Sequence, residues 1–264
     1  MEPDEVPVAI VAGVATAVYW GTWLHAAWHA SPLVRPARRR ATLVVCLVAG
    51  FGVVLATLLT GADPVVRRGP GYIILFLAVA GVAFATATAA AAVIGVSPLD
   101  DAVRRPNPAA VWATAGLWLG TAVAVAGANI GRGDTIGTTI GPLALGVATL
   151  LILWALHAAA TDSAAAISQG RDVSTGLRVA GLLVAWGLVF ARATAGDWES
   201  VARTWEDFAI QGWPTVALLV VAIPIEWLLR PSARRPAPPW LAGVGPALVY
   251  LLVAAGWVAW WGRP

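Results

Sequence analysis

The sequence predicts an all-α fold, a polytopic transmembrane helical bundle of about eight spans arranged as two parallel four-helix repeats. Three observations carry this prediction. The chain is 59% hydrophobic and only 12% charged, with a mean hydropathy of +0.77, the composition of a protein whose solvent is lipid. Eight apolar stretches of roughly 20 residues follow one another, each long enough to cross a ~30 Å hydrocarbon core as a helix that satisfies its own backbone groups. Landmarks of the first half also return in the second. Leu24-His25-Ala26-Ala27 recurs as Leu156-His157-Ala158-Ala159, Arg104-Arg105-Pro106 as Arg234-Arg235-Pro236, and Gly131-Arg132 as Gly262-Arg263. Gly52, Val54, Ala56 and Gly61 recur as Gly187, Val189, Ala191 and Gly196. The shifts lie within a few residues of half the chain's 264, which divides it into a first four-span repeat at 1–132 and a second at 133–264.

The first span is read at 8–29. Met1-Glu2-Pro3-Asp4-Glu5 before it is acidic where a secretory signal carries Lys or Arg, so this helix is expected to be retained. The second span, 41–60, holds Cys46, the sole cysteine, which excludes an intrachain disulfide and a thiolate cluster. The third, 72–95, ends in the Ala89-Ala90-Ala91-Ala92 run, and the fourth, 110–130, carries Gly116, Gly120, Gly127 and Gly131; such small residues let helices approach closely. The fifth, 138–160, begins with Gly137 and Gly141 in the same spacing. Asp162 to Gly176 then forms the longest loop, with room for a short surface helix. The sixth span, 177–195, contains Arg192, expected to snorkel toward Asp197. Between it and the seventh, Trp198, Val201, Ala202, Trp205, Phe208 and Ala209 recur at helical spacing opposite Glu199, Arg203, Glu206 and Asp207, the pattern of an interfacial helix over Asp197 to Ile210, capped by Asp197 and braced by Glu199 with Arg203. The seventh span, 213–229, contains Pro224, which leaves a carbonyl near Leu219 or Val220 unbonded. The eighth is read at 241–261.

All 17 basic residues are Arg, and eleven fall after odd-numbered spans: Arg35, Arg38, Arg39, Arg40, Arg104, Arg105, Arg171, Arg178, Arg230, Arg234 and Arg235. By the positive-inside rule these loops are cytoplasmic and both termini face outward. The absence of Lys with abundant Arg, Ala and Gly points to a high-GC prokaryote and its plasma membrane. The net charge of +3 is accounted for by these anchors, so nucleic acid is not an expected partner. The expected partners are the bilayer itself and either further copies of the chain or other subunits of a membrane complex.

His25, His29, His157, Asp162 and Glu226 all fall toward the cytoplasmic ends of spans one, five and seven. His25 and His29 are one helical turn apart, the spacing at which two imidazoles reach one ion, and His157 comes from the equivalent span of the other half. These three form a candidate metal site, or a pair of them a candidate haem site, although nothing in the sequence requires a cofactor. Protonatable groups at this depth also suit a proton relay. Against this, amphipathic rings belong at the interface beside Trp20, Trp23, Trp28, Trp154 and Trp227, and Glu226 has Arg230 at i+4. At the other mouth, Gly-Asp pairs follow the even spans: Gly61 with Asp63, Gly131 and Gly133 with Asp134, and Gly196 with Asp197. Helix termination explains them, and so does an outward acidic cluster with Asn129. The candidate polar path is therefore Asp63, Asn129, Asp134, Asp162, Arg192, Asp197 and Glu226. No phosphate loop, H-E-x-x-H or G-x-S-x-G occurs, and Gly131 to Gly137 departs from the dinucleotide fingerprint, so soluble-type enzymology has no support.

The stretch from Ser163-Ala164-Ala165-Ala166-Ile167 through Gly170-Arg171-Asp172-Val173-Ser174-Thr175-Gly176-Leu177-Arg178-Val179-Ala180-Gly181 resembles the YjfL-type family, duplicated four-span bacterial inner-membrane proteins of unknown function. In that family a Gly-Asn pair leads into an Ala-rich span; here Arg171-Asp172 follows Gly170, so the Asn is missing. The resemblance implies the two-times-four architecture and brings no catalytic residues. The reading that results is a non-enzymatic transporter, channel-like bundle or complex subunit. A metal- or haem-binding redox component built on His25, His29 and His157 is the alternative.

Overall fold

The computed structural model describes residue 3 and residues 5–29, 37–131, 136–197, 201–230 and 238–261. Eight helices are long and apolar enough to cross a membrane: Glu5–Trp28, Ala41–Thr60, Pro70–Ile94, Pro108–Ala128, Ile140–Thr161, Val173–Thr194, Thr204–Leu229 and Trp240–Trp261. The chain is an all-α, multi-pass membrane protein. Its α-helices are α1 (Glu5–Trp28), α2 (Ala37–Thr60), α3 (Pro64–Arg68), α4 (Pro70–Ile94), α5 (Pro108–Ala128), α6 (Ile136–Thr161), α7 (Ser163–Ser168), α8 (Val173–Thr194), α9 (Val201–Gly212), α10 (Pro214–Leu229) and α11 (Gly245–Trp261). Two π-helical turns, Pro98–Arg104 and Trp240–Val244, precede α5 and α11. Among the described residues there is no strand, only an isolated parallel bridge between Ala62 and Gly131.

The even-numbered spans form one row, α2 on α5, α5 on α8 and α8 on α11. The odd-numbered spans form a second row, α1 on α4, α4 on α6 and α6 on α10, laid against the first. Because each even span is separated from the next by one returning span, the helices of a row run the same way. The C-terminal ends of the odd spans therefore share one face of the bundle, the odd-loop face, and those of the even spans share the other.

The centre of the row is closed. A methyl group on Gly116, Gly120 or Gly127 of α5 would overlap the backbone of Ala180, Leu183 or Ala191 of α8, and one on Gly187 would overlap Gly120. The stripe of small residues read from the sequence therefore works as a backbone-to-backbone seam, the arrangement available in lipid, where there is little hydrophobic drive between helices. The seam continues into the even-loop face, where Gly196 N–H donates to the Ile130 carbonyl at 2.9 Å. Gly131 sits there at φ +113°, against Gly196, a conformation and a closeness that only glycine allows.

Around the seam, the buried indoles of Trp20 and Trp118 find partners, whereas the Trp23 and Trp154 Nε1 groups have none among the described residues. Trp20 Nε1 donates to the Gly81 carbonyl at 3.0 Å, and Trp118 Nε1 to Thr88 Oγ1 at 2.9 Å. Trp20, Trp23 and Trp118 pack edge-to-face, each pair at a centroid separation of 5.7 Å. Of the five tryptophans expected at the interface, only Trp28 and Trp227 are exposed, while Trp20, Trp23 and Trp154 are core residues. The small α4 and α5 side chains leave wells deep enough for an indole.

Elements between spans also settle. Asp162 to Gly176 contains the expected short helix, α7, anchored by buried Ile167. The amphipathic segment after Gly196 is helical from Val201 and runs through Trp213 into α10. Its Phe208 is buried and stacks on Phe190 of α8 at 5.5 Å, whereas Trp205 is exposed. Trp198, Glu199, the Val201 and Arg203 side chains, Arg35, the side chains of Arg38, Arg39 and Arg40, Arg132, Asp134, Arg234, Arg235 and Arg263 lie outside the described residues.

Candidate functional site

The costliest groups in this bundle meet where α8, α10 and the π-helical turn before α11 converge, near the odd-loop face. Asp172 is the N-cap of α8, accepting from Ser174 N–H at 2.9 Å and Thr175 N–H at 3.3 Å. One turn into the helix, on the same face, stand Thr175 and Arg178. Arg178 was counted from the sequence among the cytoplasmic loop anchors; it is instead fully inside the protein, paired side-on with Glu226 of α10. Its Nε and Nη2 donate to Glu226 Oε2 and Oε1, both at 2.7 Å, and each side chain is only 1% exposed. The remaining nitrogen, Nη1, donates to the Ala242 carbonyl of the π-helical turn and lies 3.5 Å from the Leu229 carbonyl. A π-turn widens the helix and presents carbonyls away from the regular ladder, and Gly243 lets this one lie against Ser174 and Leu177.

Glu226 therefore does not pair with Arg230, the partner its i+4 spacing suggested. The geometry of α8 offers a planar fork with two donors for two carboxylate oxygens, whereas the Arg230 guanidinium swings away to the Thr161 carbonyl at the end of α6. Thr175 completes the cluster, its Oγ1 2.7 Å from Glu226 Oε1 and 2.7 Å from Asp172 Oδ2. His157 of α6 and Tyr250 of α11 lie close enough to feel the charges of both Glu226 and Arg178. His157 is 2% exposed, with Nδ1 3.3 Å from Ser163 Oγ.

The other expected residues disperse. His25 and His29 stack at the end of α1 with ring centroids 4.1 Å apart and His29 Nδ1 2.9 Å from the His25 carbonyl, both exposed, while His157 is buried in α6. Among the described residues no group of three or more His, Cys, Asp and Glu is placed to hold a metal ion. Asp63 caps α3 through the Val65 N–H at 2.8 Å, and buried Asn129 donates to the Val125 carbonyl at 2.7 Å at the end of α5. Asp162 is exposed and takes a left-handed conformation between α6 and α7. Arg192 donates to the Trp261 carbonyl at 3.2 Å, and Asp197 is exposed beyond α8. Of the described residues of the candidate path, only Glu226 enters the buried cluster.

The sequence reading missed Arg178, Thr175 and Asp172. The usable signal was register: Ser174, Thr175, Arg178, Gly181, Leu182 and Ala185 recur at 3.6-residue spacing, so Arg178 shares the face that packs inward. Comparison of the chain with protein-family models, with curated proteins and with solved structures returned no match.

Proposed function

We propose that this chain is a non-enzymatic transporter or channel-like bundle whose polar path passes the Arg178–Glu226 cluster, in the second half of the molecule, and not the seam between the halves. The observation that carries the reading is the ion pair itself, 1% exposed on both sides between membrane spans. Apolar residues of similar volume would stabilise such a site as well or better, so an ion pair buried between spans supports a functional reading. Thr175 and the carbonyls of Ala242 and Leu229 complete the hydrogen bonding of Arg178, so that the charge is held inside the bundle. The α5–α8 seam, closed backbone against backbone, leaves no room for a solute there.

The duplication into 1–132 and 133–264 belongs to this proposal. Under that shift the α2–α5 contact corresponds to α8–α11, and both π-helical turns follow the third span of a repeat. So do a cytoplasmic odd-loop face, where Arg104, Arg105 and Arg171 lie, and kinship with the YjfL-type family.

The test is flux into proteoliposomes, read with pH- and potential-sensitive dyes, across sodium, potassium, chloride, phosphate, acetate and a neutral amino acid. One of these is expected to move faster than in protein-free vesicles, and Glu226→Gln is expected to slow it on the order of tenfold or more, a barrier change of about 1.4 kcal/mol. No protein-dependent flux, or flux indifferent to Glu226→Gln, contradicts the proposal.

A further inference from the structure

The hydroxyl of Thr175 has one hydrogen and three polar neighbours. Arg178 Nη2, at 2.8 Å, can only donate, so Thr175 accepts there. The single hydroxyl hydrogen is then left to serve two carboxylate oxygens, Glu226 Oε1 and Asp172 Oδ2, each at 2.7 Å, the length of an O–H···O bond. With both carboxylates ionised, one of these contacts presses lone pair against lone pair, on a side chain that is fully buried. One additional proton removes the conflict: a protonated Asp172 donates to Thr175 while Thr175 donates to Glu226, or the same chain runs in reverse.

We propose that Asp172, Thr175 and Glu226 form a one-proton relay between the odd-loop face and the buried interior of the bundle. Asp172 is the outer station, its side chain 18% exposed, and Glu226 the inner one at 1%. In transfer, the O–H bond of Asp172 breaks as its proton joins Thr175 Oγ1, and the original hydroxyl hydrogen forms the new O–H bond on Glu226 Oε1. Thr175 ends unchanged, and one proton has moved inward with no electron transfer. Among the described residues, Glu226 faces Arg178 and Thr175 of α8, with His157 of α6 and Tyr250 of α11 near both charges, and Arg178 Nη2 also lies 4.0 Å from Asp172 Oδ2, so the one guanidinium serves both carboxylates. Neutral Glu226 gives up the charge-assisted half of its hold on Arg178, which keeps the Ala242 carbonyl; proton arrival thus loosens α8 from α10 but not from the turn before α11. The relay deepens the transport reading of this site and takes its physiological role from it, but its chemistry stands separately.

The experiment is pH-difference infrared spectroscopy of the purified protein, following the carboxylic-acid carbonyl band from about pH 8 to about pH 4, across the carboxylate range. Glu226→Gln and Asp172→Asn are each expected to remove the same single component, Asn being as good an N-cap as Asp. Thr175→Val, checked for folding by its elution and thermal unfolding, is expected to move that component by about one pH unit, a tenfold change in proton affinity, while Thr175→Ser leaves it in place. Separate components for the two carboxyls, no component at all, or one indifferent to Thr175→Val overturns the relay. If Thr175→Val fails to fold, the two carboxyl variants alone decide. A shared component without any solute flux retains the relay and removes the transport reading; flux without a shared component does the reverse.

Discussion

Arg178 and Glu226 hold each other side-on, with Thr175 and the Ala242 carbonyl completing their hydrogen bonds. Arg178→Ala leaves a carboxylate at 1% exposure with only the Thr175 hydroxyl as donor, and the expected destabilisation is about 3–5 kcal/mol, read from the denaturant midpoint in detergent. Thr88 gives a second test in the first half. It donates to the Phe84 carbonyl at 2.7 Å and accepts from Trp118 at 2.9 Å, so Thr88→Val, nearly isosteric, orphans the buried indole N–H and is expected to cost about 1–3 kcal/mol. Thr88→Ser, which keeps both bonds, should stay near the wild-type midpoint; an equally large loss there would show that packing and not the hydrogen bond is at stake. At this scale little was legible beforehand. Glu226 was visible as a polar residue in a span, but its partner lay 48 positions away, and the nearer Arg230 satisfied every local rule. Asp63 was legible as a capping residue, although it caps the start of α3 and not the end of the second span, and Asn129, read as part of an outward polar cluster, bonds back to its own helix at Val125.

Among the elements, α5 and α8 show how glycine placement decides a membrane interface. Gly120→Val drives a branched side chain into the Leu183 carbonyl, and overpacking of that kind is expected to cost about 1–3 kcal/mol or more. Gly52 of α2 belongs to the same class of residue by sequence, but nothing lies within 4 Å of its added methyl; Gly52→Ala should therefore be neutral or stabilising, by up to about 1 kcal/mol. Comparable losses at both sites would contradict the seam. Of the glycines singled out from the sequence for close approach, Gly116, Gly120, Gly127 and Gly131 meet a neighbouring backbone whereas nothing lies within 4 Å of a methyl on Gly141, because composition and spacing do not reveal which face of a helix meets a neighbour. Span positions were read to within a few residues, since twenty apolar residues in a row have one fate in a bilayer, except that the seventh, read at 213–229, begins at Thr204 and takes in part of the segment read as interfacial. The segment after Gly196 was recognised as amphipathic helix, yet the side that packs was set by Phe190 of α8, a long-range contact without a local trace.

For the whole molecule, the two-row arrangement explains where polar groups can be afforded. The even-numbered spans pack in a row through α5 and α8, and among the described residues α2 and α11 make no comparable contact, so the halves follow one another along the row. The α5–α8 seam has no space for a path; the polar groups gather instead where α6, α8, α10 and the turn before α11 meet. The span count came through from hydropathy, whereas the order of helices depended on which backbones can touch. If the positive-inside reading is right, single cysteines placed at Arg104 and Arg171 in a Cys46→Ala background will be labelled by an impermeant maleimide only after the membrane is opened, and one at Asp63 in intact cells. The reverse pattern would invert the bundle and make Asp172 an external proton station.

Replacing both partners decides whether the buried pair serves function or the fold. In the Arg178→Met, Glu226→Leu double variant the site becomes apolar at similar volume. The double variant is expected to be at least as stable as wild type, by the precedent of buried ion pairs replaced by hydrophobic residues, and its proteoliposomes are expected no longer to carry the wild-type flux. A double variant that transports at the wild-type rate would contradict the functional reading, and would return Arg178 and Glu226 to the role of a brace between α8 and α10.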